Sequence, residues 1–87
     1  PEDGVILADM DCVMVDRLVR AVTRPYPGAF IDHEHTRYTI WRGRAHLGNR
    51  SLQAFTFDTD NHLWFNVADG CFEAIDWEAQ PTKTPAS

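Results

Sequence analysis

The densest run of side chains able to bind a metal or move a proton is Asp32-His33-Glu34-His35, with His46 and His62 elsewhere in the chain. Imidazole and carboxylate are proper zinc ligands, and a structural zinc site collects four of them. Adjacent residues of an extended loop point in alternating directions, so either Asp32 and Glu34 or His33 and His35 face one ion together. Two ligands do not make a closed site. The run is expected as a solvated turn, with no metal set. Cys12 and Cys71 are the only thiols. They lack both the CxxC spacing of redox pairs and the paired spacing of zinc ligands. Each falls in an apolar stretch, which predicts two buried free thiols in a reducing compartment, the cytoplasm. There is no GxSxG nucleophile elbow, no GxGxxG and no GxxxxGK[ST], so neither a hydrolase centre nor a nucleotide cradle is encoded. No catalytic residue is expected in this chain. Trp41, Trp64, Phe65 and Trp77, with Arg37, Arg42 and Arg44, have the chemistry to stack on and neutralise a single-stranded nucleic acid. Core filling competes for the same rings. The net charge of −5, from 13 acids against 8 bases, disfavours a nucleic-acid partner, because phosphate contacts supply most of that affinity.

The elements that must position these groups follow from periodicity. The 87 residues, 44% hydrophobic and 24% charged, suit one globular domain. No apolar run approaches the ~18 residues of a membrane span. Pro1 and Asp3-Gly4 predict an opening turn, followed by the short extended Val5-Ile6-Leu7. Asp9 is the expected N-cap of a helix over about 10–24, with Asp11 in its first turn. Val15, Leu18, Val19 and Val22 have the spacing of one buried face, and Pro25 ends the helix. Short alternating segments then predict strands at 29–32, 37–46, 52–57, 62–67 and 71–79. Gly43 marks a bulge or bend, and Asp69-Gly70 carries the strongest hairpin signal. One helix with about five short strands predicts a mainly β fold: a small antiparallel, OB-like open barrel with the helix across one opening, an arrangement that buries the aromatics and removes edges. The domain is expected over 1–80, with 81–87 a tail or linker stub.

Between helix and strands lies "RPYPGAF", Arg24 to Phe30. Pro25 stops the helix and Pro27-Gly28 turns the chain. Tyr26 and Phe30 are expected to seal helix against barrel, with Arg20 and Trp41 completing the junction.

"PEDG" at 1–4, "LVRAVTRPYPGAF" at 18–30 and "YTIWRGRAH" at 38–46 together resemble the C-terminal domain of folate-dependent formyltransferases. That family includes methionyl-tRNA formyltransferase and the sugar-nucleotide N-formyltransferases. The similarity covers 1–46 closely and 63–80 more loosely, through the Asp69-Gly70 hairpin. "PYPGAF" and "LVRAV" look closer to the sugar-nucleotide enzymes, and the acidic charge agrees. The chain departs from the pattern in its short 47–61 segment and in its "QPTKTPAS" ending. The resemblance implies a non-catalytic accessory domain following a Rossmann-like catalytic domain, which holds the family's Asn, His and Asp and its N10-formyltetrahydrofolate. It implies a role in domain packing, acceptor access or homodimer formation, with Arg20, Tyr26, Pro27, Gly28, Phe30 and Trp41 at the corner between domains. The alternative is a stand-alone OB-like module that binds RNA, glycan or protein, or oligomerises, without formyl transfer.

Overall fold

The computed structural model describes residues 4–82. Pro1 and Asp3 of the expected opening turn, and 83–87 of the expected tail, lie outside the described residues.

The helix α1 spans Cys12–Ala21, shorter at both ends than 10–24. Its N-cap is Asp11 rather than Asp9: the Asp11 carboxylate accepts the Met14 N–H at 2.8 Å. Met10 cannot join the first turn because its backbone is committed elsewhere. Its N–H donates to the Leu7 carbonyl at 3.0 Å, and its carbonyl accepts the Ala68 N–H at 2.8 Å. At the other end the last helical hydrogen bond runs from the Val22 N–H to the Leu18 carbonyl at 3.1 Å. Thr23 turns away, its hydroxyl donating to the Trp41 carbonyl at 3.2 Å. Cys12, Val15 and Val19 are buried, and Leu18 and Val22 pack partly buried beside them.

Five strands follow: β1 Ala29–His33, β2 Thr36–Leu47, β3 Phe55–Phe57, β4 Leu63–Val67 and β5 Gly70–Pro81. They form one antiparallel sheet in the order β1-β2-β5-β4-β3, curled into a half-barrel. The polar run after β1 tightens to a two-residue turn. Glu34 and His35 take φ values of 50° and 67°, the left-handed pair of a type I′ hairpin, and His33 pairs with Thr36. β3 is three residues long instead of six because Asn66 captures the preceding segment. Its side-chain amide accepts the Ser51 N–H and donates to the Ser51 carbonyl, both at 2.9 Å. Leu52 is left fully exposed. β5 runs past 79 because Gln80 and Pro81 pair with Arg37 and Thr36.

β2 carries the deformation that curls the sheet. The register advances from Ile40↔Trp77 to Arg42↔Asp76, and then to Gly43↔Ala74. Trp41 is therefore an extra residue on β2 and Ile75 one on β5, bulges that bend strands and re-aim side chains. Gly43 lies at this step, as expected; a Cβ there would run into the Glu73 carbonyl and the Phe72 ring.

The barrel is open, as expected, but β1 and β3 remain edges of the sheet, which corrects the expectation that the fold removes edges. The β1 edge is shielded by the entering chain. Phe30 donates to the Gly4 carbonyl and accepts the Ile6 N–H, both at 2.8 Å. Toward β3 the gap is spanned by rings, with His33 stacked on Phe55 at 4.0 Å between centroids. Ile6, Val15, Val19, Ala29, Ile40, Leu63, Phe65, Val67, Phe72 and Ala74 form the core between helix and sheet. No helix among the described residues is long and apolar enough to cross a membrane.

Candidate functional site

At the corner Gly28 is buried with φ 96°. A Cβ there would lie 2.7 Å from Thr39 Cγ2 and 2.8 Å from Trp41 Cζ3. The bulge turns Trp41 under the glycine, and the Arg24 guanidinium covers its ring at 4.2 Å. The Trp41 Nε1–H is buried without a hydrogen-bond partner among the described residues. Phe30 is half-buried beneath the Arg37 guanidinium at 4.0 Å; Asp32 holds that guanidinium by two hydrogen bonds of 2.8 and 3.0 Å. Tyr26 does not seal the joint. It is 61% exposed, because the Trp41 ring already fills the space that Gly28 leaves open. Tyr26, Pro27, Gly28 and Phe30 line one cleft of about 440 Å³ together with Gly4 and Arg37. Arg20 and Trp41 line a second cleft of about 480 Å³ between α1 and β2, where Arg20 is paired with Asp16 at 2.6 Å. The six expected residues thus fall into two neighbouring clefts that meet where Trp41 touches Gly28. Arg24, at the end of the helix, belongs to the corner as well.

The second assembly lies on the sheet face away from the helix. The Asp32–His35 run does not meet His46 or His62; those two converge on Glu73 instead. Glu73 Oε1 is 2.9 Å from His46 Nε2, and Oε2 is 2.7 Å from His62 Nδ1. Asp58 Oδ2 lies 3.9 Å from the same His62 nitrogen. It accepts the Trp64 indole N–H at 2.7 Å, while Oδ1 takes the backbone N–H of Asp60 and His62 at 2.8 and 2.9 Å. Arg44 approaches Glu73 at 3.7 Å, and the His46 and Trp64 rings lie 4.9 Å apart. The side chains of Glu73, His62 and Asp58 are 13%, 24% and 33% exposed. Burial pushes the Glu73 carboxyl up, but hydrogen bonds from His46 and His62 and the charge of Arg44 outweigh it and hold the group below its ordinary value. The Trp64 indole, then the backbone N–H of His62, lowers Asp58. Ligand atoms of Asp58, His62 and Glu73 all lie within 4.8 Å of one another, so these are the residues able to hold a metal.

Sequence reasoning missed this cluster, although half its signal was present. Leu63, Phe65 and Val67 face the core, so His62, Trp64 and Asn66 must face outward; Phe72 and Ala74 do the same for Glu73. The missing half was the strand order β2-β5-β4, with Glu73 opposite both Arg44 and Trp64.

The remaining candidates are absorbed by the fold. Cys12 and Cys71 are buried and free. Burial, then contact with Asp69, pushes the Cys12 thiol up to about 11, and burial raises Cys71 as well. Neither is a thiolate at neutral pH, so neither is an activated nucleophile. The aromatics do not form one stacking platform. Phe65 is buried, Trp64 is bound to Asp58, and the Trp77 indole donates to the Asn61 carbonyl at 2.9 Å. Trp77 packs against Tyr38 and Phe57.

The order of helix, corner and curled sheet is that of a known family. The model of the formyl transferase C-terminal domain matches residues 1–73, from the entering segment through the corner and the first four strands to Glu73 in β5. The chain belongs to the formyl transferase C-terminal domain family.

Proposed function

We propose that this domain is the non-catalytic accessory part of an N10-formyltetrahydrofolate-dependent formyltransferase whose acceptor is the amino group of a nucleotide-linked sugar. The domain packs on the catalytic domain and shapes acceptor access at the corner. The observation that carries this reading is the position of the corner beside the entering chain. Gly4 lines the same cleft as Tyr26, Pro27, Gly28 and Phe30, and residues 4–6 bond to Phe30. A domain joined ahead of residue 4 therefore meets the exposed Tyr26 and Pro27 first. The acidic charge supports a sugar nucleotide over tRNA as acceptor. Val13 and Met14, 57% and 51% exposed on the outer side of α1, offer a further apolar surface for domain packing or homodimer formation.

Folate itself does not suit the corner cleft. Its lining, Gly4, Val22, Tyr26, Pro27, Gly28, Phe30, Arg37, Thr39 and Gln80, includes no carboxylate to accept from the amino-pyrimidine edge of a pterin. No chemical step is assigned to this chain.

The test is formyl transfer by the parent enzyme, offered N10-formyltetrahydrofolate with either a nucleotide-linked amino sugar or an aminoacyl-tRNA. Tetrahydrofolate release with the sugar alone is expected; turnover with the tRNA alone would overturn the acceptor assignment. In the same enzyme Tyr26→Ala is expected to raise the acceptor KM several-fold with an unchanged unfolding midpoint. A parent lacking the catalytic Asn, His and Asp would reduce the chain to a binding or oligomerisation module.

A further inference from the structure

We propose that Asp58, His62 and Glu73 form a binding site for one divalent first-row transition ion, with Zn²⁺ the best match. Asp58 and His62 stand at the two ends of the turn between β3 and β4, and Glu73 lies near the start of β5. Only the folded sheet assembles them. Tetrahedral Zn²⁺ with bonds of about 2.0–2.2 Å places its ligand atoms roughly 3.3–3.5 Å apart. Here His62 Nδ1 is 2.7 Å from Glu73 Oε2 and 3.9 Å from Asp58 Oδ2, values that straddle that separation. Binding requires the His62 and Glu73 ligand atoms to part by about half an ångström and Asp58 to close on both, from a set whose ligand atoms already lie within 4.8 Å of one another.

The outer contacts are those of a metal centre. Carboxylate ligands are oriented by hydrogen bonds to their second oxygen or from their flank. His46 supplies one to Glu73 Oε1 and the Trp64 indole supplies one to Asp58 Oδ2. Beside the two carboxylates the nearest guanidinium among the described residues is Arg44, which is 3.7 Å from Glu73 with its side chain 66% exposed. That leaves negative charge for an ion to neutralise. The imidazole and the count of three ligands argue against Ca²⁺, which takes 6–8 oxygens, and favour a transition ion with water in the fourth position.

The proton balance is simple. In the metal-free chain the His62 Nδ1–H donates to Glu73 Oε2. The ion takes the Nδ1 lone pair, so His62 switches to the tautomer protonated at Nε2, and Glu73 exchanges a hydrogen bond for a metal bond.

The experiment titrates the metal-free chain with Zn²⁺ by calorimetry and with Co²⁺ by visible absorption, while following tryptophan fluorescence. One equivalent per chain is expected, with a four-coordinate Co²⁺ spectrum and quenching of Trp64, whose indole touches a ligand. His62→Gln and Glu73→Gln should each weaken binding more than tenfold. His46→Gln, which removes an outer partner, should weaken it by about tenfold, and His35→Asn in the β1–β2 turn should leave it unchanged. Binding indifferent to His62→Gln, or lost equally with His35→Asn, would overturn the proposal as surface coordination. Should His62→Gln unfold, ring nitrogen spectra of the unsubstituted chain decide. Zn²⁺ must move His62 Nδ1 and spare His33 and His35, and the opposite pattern refutes the site. These readouts are independent of formyl transfer.

Discussion

At Gly28 the backbone stands at φ 96° and a Cβ would meet both Thr39 and Trp41. The position therefore forbids a side chain on two counts, conformational and steric. Gly28→Val is expected to cost about 3 kcal/mol or more, from a β-branched residue at positive φ together with overpacking. Chemical denaturation measures this directly, and an unchanged midpoint would show that the corner has slack. Gly28→Ala should fall between the two. The sequence identified Gly28, since Pro-Gly after a helix is a turn signal with a mechanism. It did not identify Arg24 as the cover of Trp41, nor the exposure of Tyr26, because both depend on which ring occupies the space above Gly28. Trp41 wins that space through a bulge two strands away from the corner in the chain. Glu73 is the same kind of case: an outward acid in a strand says nothing of the two histidines that reach it.

Helix α1 is a short element whose ends matter more than its middle, and two N–H groups of its first turn are satisfied by carboxylates. Asp11 takes Met14, and Asp69, from the turn between β4 and β5, takes Cys12 at 2.8 Å. Asp11→Ala is expected to destabilise the chain by about 1 kcal/mol, the ordinary worth of such a cap, read as a shift of the denaturation midpoint at constant slope. The edge strand β3 is held differently. It pairs on one side only, and Phe55 stacks on His33 and Phe65 and packs tilted against Tyr38 to bridge the open side of the half-barrel. Phe55→Ala is expected to cost roughly 2 kcal/mol, below the range for a fully buried phenylalanine. It should also abolish amide exchange protection in Phe55–Phe57 while leaving β2 and β5 protected. Protection retained in β3 would mean that its ladder alone is sufficient. Helix, hairpins and the Gly43 bulge were readable from local signals. The shortening of β3 was not, because Asn66, fifteen residues beyond Ser51, fixes the backbone just ahead of the expected strand.

For the molecule as a whole, Asp69 ties the helix to the far hairpin, and its carboxyl is held below the ordinary value chiefly by the Cys12 backbone N–H. A carboxyl depressed in the folded state contributes stability that is fully present above its unfolded value, about 3.9, and that is lost as pH falls through the lower folded value. The unfolding midpoint should therefore separate Asp69→Asn from the unsubstituted chain at pH 7, and the gap should narrow as pH falls below about 3.9. A gap constant with pH would assign the contribution to shape rather than charge. By itself the sequence determined the one-helix, five-strand antiparallel open-barrel class, the corner and the family resemblance. These rest on periods of 2 and 3.6 and on turn chemistry, which are local along the chain. Only the tertiary structure decided that Trp41 rather than Tyr26 fills the joint, and that Asp58, His62 and Glu73 meet on the outer face. Those outcomes depend on strand order and on the bulges at Trp41 and Ile75. Both are fixed by packing between segments tens of residues apart, and no local period records them.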